Sequence, residues 1–281
     1  RPRQGQPRLV AVGLARRRKG REEEQAPALG IPGELVARYR KLLPFELTSH
    51  QKRAIAEIDA DLAKPTPMER LLQGEVGSGK TVVALYALLR AVEAGKKGAL
   101  MAPTETLAEQ HFLTLEEPCR ELGVEVALLT RSVKDDPGAA QLLVGTHALI
   151  QEGVDLSEVA VAVVDEQHRF GVEQRRAITG GQSPHVLHMT ATPIPRTLAL
   201  TVYGDLSVSE IAKPPANRKP VTTAWVTEDR SSEAYRRLRK HLDAGRQAYV
   251  VCPLIEESET SVARAAEREA ERLQKGELTG Y

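Results

Sequence analysis

The chain has 281 residues, of which 41% are hydrophobic and 27% charged, with a formal net charge of +1. That length holds one large domain or two smaller ones with ample apolar material for a core, and the near-neutral balance gives no global sign of a polyanionic partner. No apolar run approaches the roughly 18 residues of a membrane-spanning helix, so no membrane partner is expected. The two cysteines, Cys119 and Cys252, lie far apart without metal-binding spacing, as expected of unpaired thiols in a reducing cytoplasm. The basic start lacks the apolar stretch of a signal peptide. Residues 1–21 hold eight basic residues and no acid, a run that suits either phosphate contacts or a solvated connector.

In chain order, residues 8–14 read as a strand and 22–31 as a charged linker punctuated by proline and glycine. A short amphipathic helix is predicted over 34–43 and stopped by Pro44. Thr48 caps a second helix reaching Leu62, with Ala54, Ile55, Ile58 and Leu62 at helical spacing. Leu71 and Leu72 read as the end of a buried strand, and 81–93 as a helix with an apolar face. Strands follow at 98–102, 124–130, 141–145, 159–164 and 186–190. Helices are predicted over 104–122, where Pro118 is a candidate break, and over 195–203. The alternation implies an α/β doubly wound parallel sheet, and the wholly apolar run 159–164 belongs near its centre. Residues 213–220 form a proline-rich boundary. Beyond it, strands at 221–226 and 247–252 and helices at 232–244 and 261–275 open a second unit too short to be complete. The expected domains are therefore a connector over 1–45, a first α/β domain over 46–213 and the beginning of a second over 214–281.

The central stretch is Gly74-Glu-Val-Gly-Ser-Gly-Lys-Thr81, which has the phosphate-loop spacing between a strand and a helix start. Its glycines allow backbone N–H groups of Glu75, Val76, Gly77, Ser78 and Gly79 to turn inward around an anion. The helix start adds its own donors and partial positive charge. Lys80 is expected to reach the outer phosphates of a triphosphate, and Thr81 to hold Mg²⁺. A second signal, Asp165-Glu-Gln-His168, closes the apolar strand 159–164. Ligands of open α/β sheets bind at the carboxyl ends of strands. Asp165 is expected to hold Mg²⁺ through water, and Glu166 to orient and deprotonate the attacking water. Lys80, Asp165 and Glu166 are thus the expected catalytic residues, with ATP and Mg²⁺ as cofactors.

These two strings resemble motifs I and II of superfamily two helicases. Further matches follow in order: Ala102-Pro-Thr104 with Leu107-Ala-Glu-Gln-His111, then Gly145-Thr-His147, then Thr190-Ala-Thr-Pro193. The longer strings Pro44-Phe-Glu-Leu-Thr48, Asp165-Glu-Gln-His-Arg-Phe-Gly171, Thr190-Ala-Thr-Pro-Ile-Pro-Arg-Thr197 and Cys252-Pro-Leu-Ile-Glu-Glu-Ser-Glu259 resemble the RecG family of bacterial branched-DNA helicases. The resemblance covers residues 44–259 and is poor before 44. It implies RecA-like domains of the P-loop NTPase class. The coupling translocases of transcription and repair share the Arg-Phe-Gly and Thr-Pro-Ile-Pro-Arg-Thr strings, and remain the alternative.

The resemblance assigns Gln51 to the adenine edge, and Thr104, Gln110, Thr146 and His147 to the DNA backbone. It assigns His168, Thr190 and Thr192 to coupling hydrolysis with DNA movement. It also implies fork or branched DNA as substrate, single-stranded-DNA-binding protein as a possible protein partner, a monomer, and a bacterial cytoplasmic location. Glu75 stands where the family usually has Asp, and 131–140 is shorter than the family's segment. The family's remaining motifs, with its arginine finger, and its wedge domain are expected to lie outside residues 1–281, so this chain alone is expected to bind nucleotide or DNA without turnover.

Overall fold

The computed structural model describes residues 25–133, 135–146, 149, 156–165, 183–192, 206–212, 221–227, 230–251 and 259–280. The expected strand at 8–14 and helix at 195–203 lie outside them. The chain divides into two compact units, Arg1–Arg218 and Lys219–Tyr281.

In the first unit the order is α1 (Glu34–Leu42), α2 (Ser49–Leu62), β1 (Glu69–Gly74), α3 (Lys80–Glu93), β2 (Lys97–Met101), α4 (Glu105–Leu122), β3 (Val126–Leu129), β4 (Leu142–Gly145), β5 (Val159–Asp165), β6 (His185–Thr190) and β7 (Ser207–Ile211). The strands form one sheet in the order β3-β4-β2-β5-β6-β1-β7, and every pairing is parallel. All carboxyl ends therefore lie on one rim. β5 is buried along its length and only its last residue, Asp165, comes partly into the open, as an inner strand covered on both faces requires. α3 buries every residue from Val83 to Ala91 and packs with α1, α2 and α4 over one sheet face. A second apolar cluster, including Met101, Leu143, Ala162 and Val186, covers the other.

Local chemistry sets the boundaries. α2 starts with a reciprocal cap: Thr48 Oγ1 accepts the Gln51 N–H at 3.2 Å, and Gln51 Oε1 accepts the Thr48 N–H at 2.8 Å. α4 passes through Pro118 without a break. The proline removes only one backbone bond close to the helix end, while Leu115, Cys119 and Leu122 are buried on either side of it. Burial pushes the Cys119 thiol up to about 12, so it stays protonated.

One strand is unforeseen, and two expected ones do not form. β7 was not foreseen, because its inward positions are Ser209 and Ile211 and the pattern does not alternate cleanly. Ser209 is buried because Arg70 Nη1 donates to its hydroxyl at 2.8 Å, beside the ion pair of Arg70 with Asp61. In the second unit, the strands expected at 221–226 and 247–252 do not form in 221–227 or 247–251. A strand without a paired neighbour has nothing to satisfy its backbone, and Trp225, Tyr249 and Val251 are exposed there. That unit does contain α5 (Ser231–Asp243) and α6 (Glu259–Lys275). α5 ends at Gly245, whose φ of +74° permits the 2.8 Å bond from its N–H to the Leu242 carbonyl.

Within the first unit, residues 30–35 are fastened to α3 by a buried ionic cluster. Arg90, 1% exposed, pairs with Asp59 at 3.0 Å and Glu93 at 3.3 Å, and donates to the carbonyls of Gly30 at 2.7 Å and Ile31 at 3.1 Å. Glu93 in turn accepts the N–H groups of Gly33 and Leu35, both at 2.7 Å. Removing one partner leaves uncompensated buried charge. Arg90→Ala should therefore lower the unfolding free energy by about 3–5 kcal/mol in urea titration and open residues 25–33 to protease.

A second pin is His185 on β6. Its Nδ1 accepts the Met68 N–H at 3.0 Å, and its Nε2 donates to the Pro27 carbonyl at 2.9 Å. Burial holds its pKa below the usual 6.5, against smaller opposing effects of the Pro27 carbonyl and Asp61. The folded state thus binds this proton less readily than the unfolded chain, so the contribution is full above pH 6.5 and is lost as pH falls through the lower folded value. Stability measured from pH 7.5 down to 5 should decline more steeply for the parent than for His185→Gln, once the variant's uniform loss is subtracted.

Candidate nucleotide site

Strand register builds the site. Gln73 of β1 pairs with Thr190 of β6, and Met189 of β6 pairs with Asp165 of β5. Leu72, Met189 and Asp165 therefore stand level, and Gly74 lies two residues further toward the same rim, two strand spacings across the sheet from Asp165. A cleft of about 900 Å³ opens there, within the range of small-ligand sites. The phosphate loop and α2 contribute Thr48, Gln51, Gly77, Gly79, Lys80 and Thr81, and Leu107, His111 and Asp165 form the facing wall.

The loop needs its glycines. Gly77 and Gly79 have φ of +78° and +87°, in the left-handed region where a Cβ is costly. Gly79 also caps α3, and a Cβ there would stand 2.2 Å from Gln51 Nε2. Ser78 is fully buried, and among the described residues its hydroxyl has no hydrogen-bond partner. Glu75 and Val76 are both exposed; Val76 lines the cleft beside Gly77, and Glu75 does not. Lys80 Nζ lies back against the loop, donating to the Gly74 carbonyl at 2.7 Å and the Glu75 carbonyl at 3.1 Å.

Gln51 is 1% exposed. Its Nε2 donates to the Ser78 carbonyl at 2.9 Å while its Oε1 accepts from Thr48. The residue expected at the adenine edge thus also struts the phosphate loop from behind, with one N–H of its amide left over. Phe45, 47% exposed, lines the cleft beside Glu46 and Thr48 and presents an aromatic face where a base could stack.

Asp165 Oδ2 is 2.8 Å from His111 Nε2. Sequence reasoning gave His111 no role, although Leu107 and His111 stand four apart on one helix face and both reach the cleft. Of the expected DNA contacts, Thr104 caps α4, accepting the Leu107 N–H at 3.3 Å, and is exposed, as is Gln110. Thr146 is buried behind the end of β4. Thr190 is buried at the end of β6 and shares a 2.9 Å hydroxyl contact with Thr192. Glu166, His147 and His168 lie outside the described residues.

The residues present fit a nucleoside triphosphate with Mg²⁺. The loop supplies backbone donors, a cation and a helix start for phosphates. Thr81 and Asp165 offer the hard oxygen ligands that Mg²⁺ takes alongside phosphate oxygens.

The sequence pattern of the DEAD/DEAH box helicases matches residues 48–201. The chain belongs to the DEAD/DEAH box helicase family. Within it, the chain is 47% identical over 276 residues to the ATP-dependent DNA helicase RecG of Synechocystis, covering 94% of this chain and 33% of that protein. It is 49% identical over 254 residues to the RecG of Bacillus subtilis, covering 86% of this chain and 37% of that one. A solved structure of RecG bound to a three-way DNA junction superposes with a TM-score of 0.80 at 39% identity, over 95% of this chain and 36% of that one. The chain is similar in sequence to these RecG proteins and spans about a third of the length of the curated relatives it matches. Among the described residues no helix is long and apolar enough to cross a membrane.

Gly79→Ala tests the loop geometry. The positive φ alone costs about 1–2 kcal/mol, and the Cβ also displaces the Gln51 amide. Affinity for a fluorescent ATP analogue should fall at least about tenfold, with circular dichroism unchanged.

Proposed function

We propose that this chain is the motor portion of an ATP-dependent DNA helicase that remodels branched DNA such as stalled forks and four-way junctions. The observation that supports it most is the placement of the phosphate loop and Asp165 on one rim across a single cleft, in a chain whose relatives are RecG proteins. Those relatives do not favour the coupling-translocase alternative.

In this reading, backbone donors of residues 74–79 grip the phosphates and Lys80 swings from the loop carbonyls to the outer phosphates. Thr81 and Asp165 would hold Mg²⁺, which would offset the negative charge that develops on the phosphates. Glu166 orients the attacking water and takes its proton. Phe45 and Gln51 frame the base. Thr104, Gln110, Thr146 and His147 meet the DNA backbone through hydroxyl, amide and main-chain groups, which suits binding without base readout. Thr190 and Thr192, joined through their hydroxyls at 2.9 Å, couple hydrolysis to DNA movement together with His168. The protein works in the bacterial cytoplasm, where its DNA is.

The test uses the full-length protein on a synthetic fork. Glu166→Gln should retain ATP binding but lower fork unwinding and DNA-stimulated hydrolysis by at least about 100-fold. Undiminished unwinding would remove Glu166 from this role, and a parent protein without DNA-stimulated hydrolysis would overturn the reading as a whole.

A further inference from the structure

His111 has a defined geometry and no assigned role. Among the described residues it is the one side chain within hydrogen-bond distance of Asp165, with its Nε2 2.8 Å from Oδ2. Both side chains are mostly shielded, 13% and 14% exposed, and both line the cleft with Lys80 and Thr81. A carboxylate at a strand tip swivels about two soft torsions. Fixing one oxygen fixes the direction of the other, which is why oxygen ligands of metals are themselves commonly hydrogen-bonded. An imidazole N–H does this without setting a permanent cation beside the carboxylate, as lysine or arginine would.

The contact is not needed to hold α4 in place. Ala108, Leu115, Cys119 and Leu122 already bury that helix against the sheet, and Thr104 caps its start. His111 instead projects toward the rim from the turn that also carries Gln110.

We propose that His111 is a positioning residue for Asp165: it holds Oδ2 so that Oδ1 is kept for the Mg²⁺ shell, and it thereby ties α4 to the metal side of the cleft. This rests on the reading that Asp165 serves Mg²⁺. Sequence order hides the pair, since 54 positions separate the two residues; α4 starts just past the end of β2, which pairs with β5 as far as Met101 and Val164, and this brings its first turns to Asp165.

The experiment measures the Mg²⁺ concentration giving half-maximal fork-stimulated ATP hydrolysis by the full-length protein. His111→Ala should raise it about tenfold, the lower end of the usual effect of losing a partner of a metal ligand, and lower kcat at fixed Mg²⁺. KM for ATP at saturating Mg²⁺ should stay within about twofold. Magnesium-free binding of a fluorescent ADP analogue should not change, which separates loss of positioning from loss of folding. His111→Gln, whose amide N–H can stand near the Nε2 position, should recover most of the Mg²⁺ requirement. An unchanged requirement in His111→Ala overturns the proposal, as does a His111→Gln that behaves like His111→Ala. A parent protein lacking Mg²⁺-dependent hydrolysis would instead overturn the nucleotide reading, and this inference with it.

Discussion

One constraint carries the site: the seven strands among the described residues all run the same way. A parallel sheet delivers every strand's carboxyl end to one rim, so a loop after β1 and an acid at the end of β5 meet without any long-range tuning. The register then fixes their relative height, because Gln73, Thr190, Met189 and Asp165 are linked through successive ladder pairs. A slip of one residue in β6 would carry both Thr190 and the Asp165 pairing out of step. Burial on both faces makes such a slip expensive: Leu187 and Met189 pack on one side of β6 and Val186 on the other.

Given that frame, the loop is held by small contacts. Left-handed turns at Gly77 and Gly79 aim the backbone inward. Gln51 props the Ser78 carbonyl and caps its own helix with the same amide. This is an economical use of one side chain, and it couples the start of α2 to the phosphate loop, so neither can shift far alone. The facing wall is held differently, by apolar burial of α4 with the His111 to Asp165 contact at its tip.

Much of this was legible from residues alone, and the reasons are specific. The phosphate-loop string encodes its own geometry, since only that glycine spacing permits the turn. The run 159–164 is apolar at every position because both its faces are covered. What sequence could not show depends on partners distant in the chain. β7 looks irregular until Arg70 is known to need Ser209. Pro118 looks like a break until the burial around it is counted. The extended segments near Trp225 and Tyr249 read as strands by composition, but a strand is made by its neighbour as much as by its own residues. His111 was visible only as one letter in a helicase-like string, its chemistry supplied by a carboxylate on another element.

The buried Arg90 cluster has a mechanical consequence. α3 is a rigid rod of roughly 20 Å, with the phosphate loop at one end and the grip on residues 29–33 at the other. Hydrogen bonds to Gly30, Ile31, Gly33 and Leu35 side by side resist a pull along the connector in shear, where several must yield together. Residues 30–35 are thereby clamped to the far end of the same helix whose first turn frames the nucleotide cleft, so the two ends of α3 anchor two distant stretches of the chain on one rigid element.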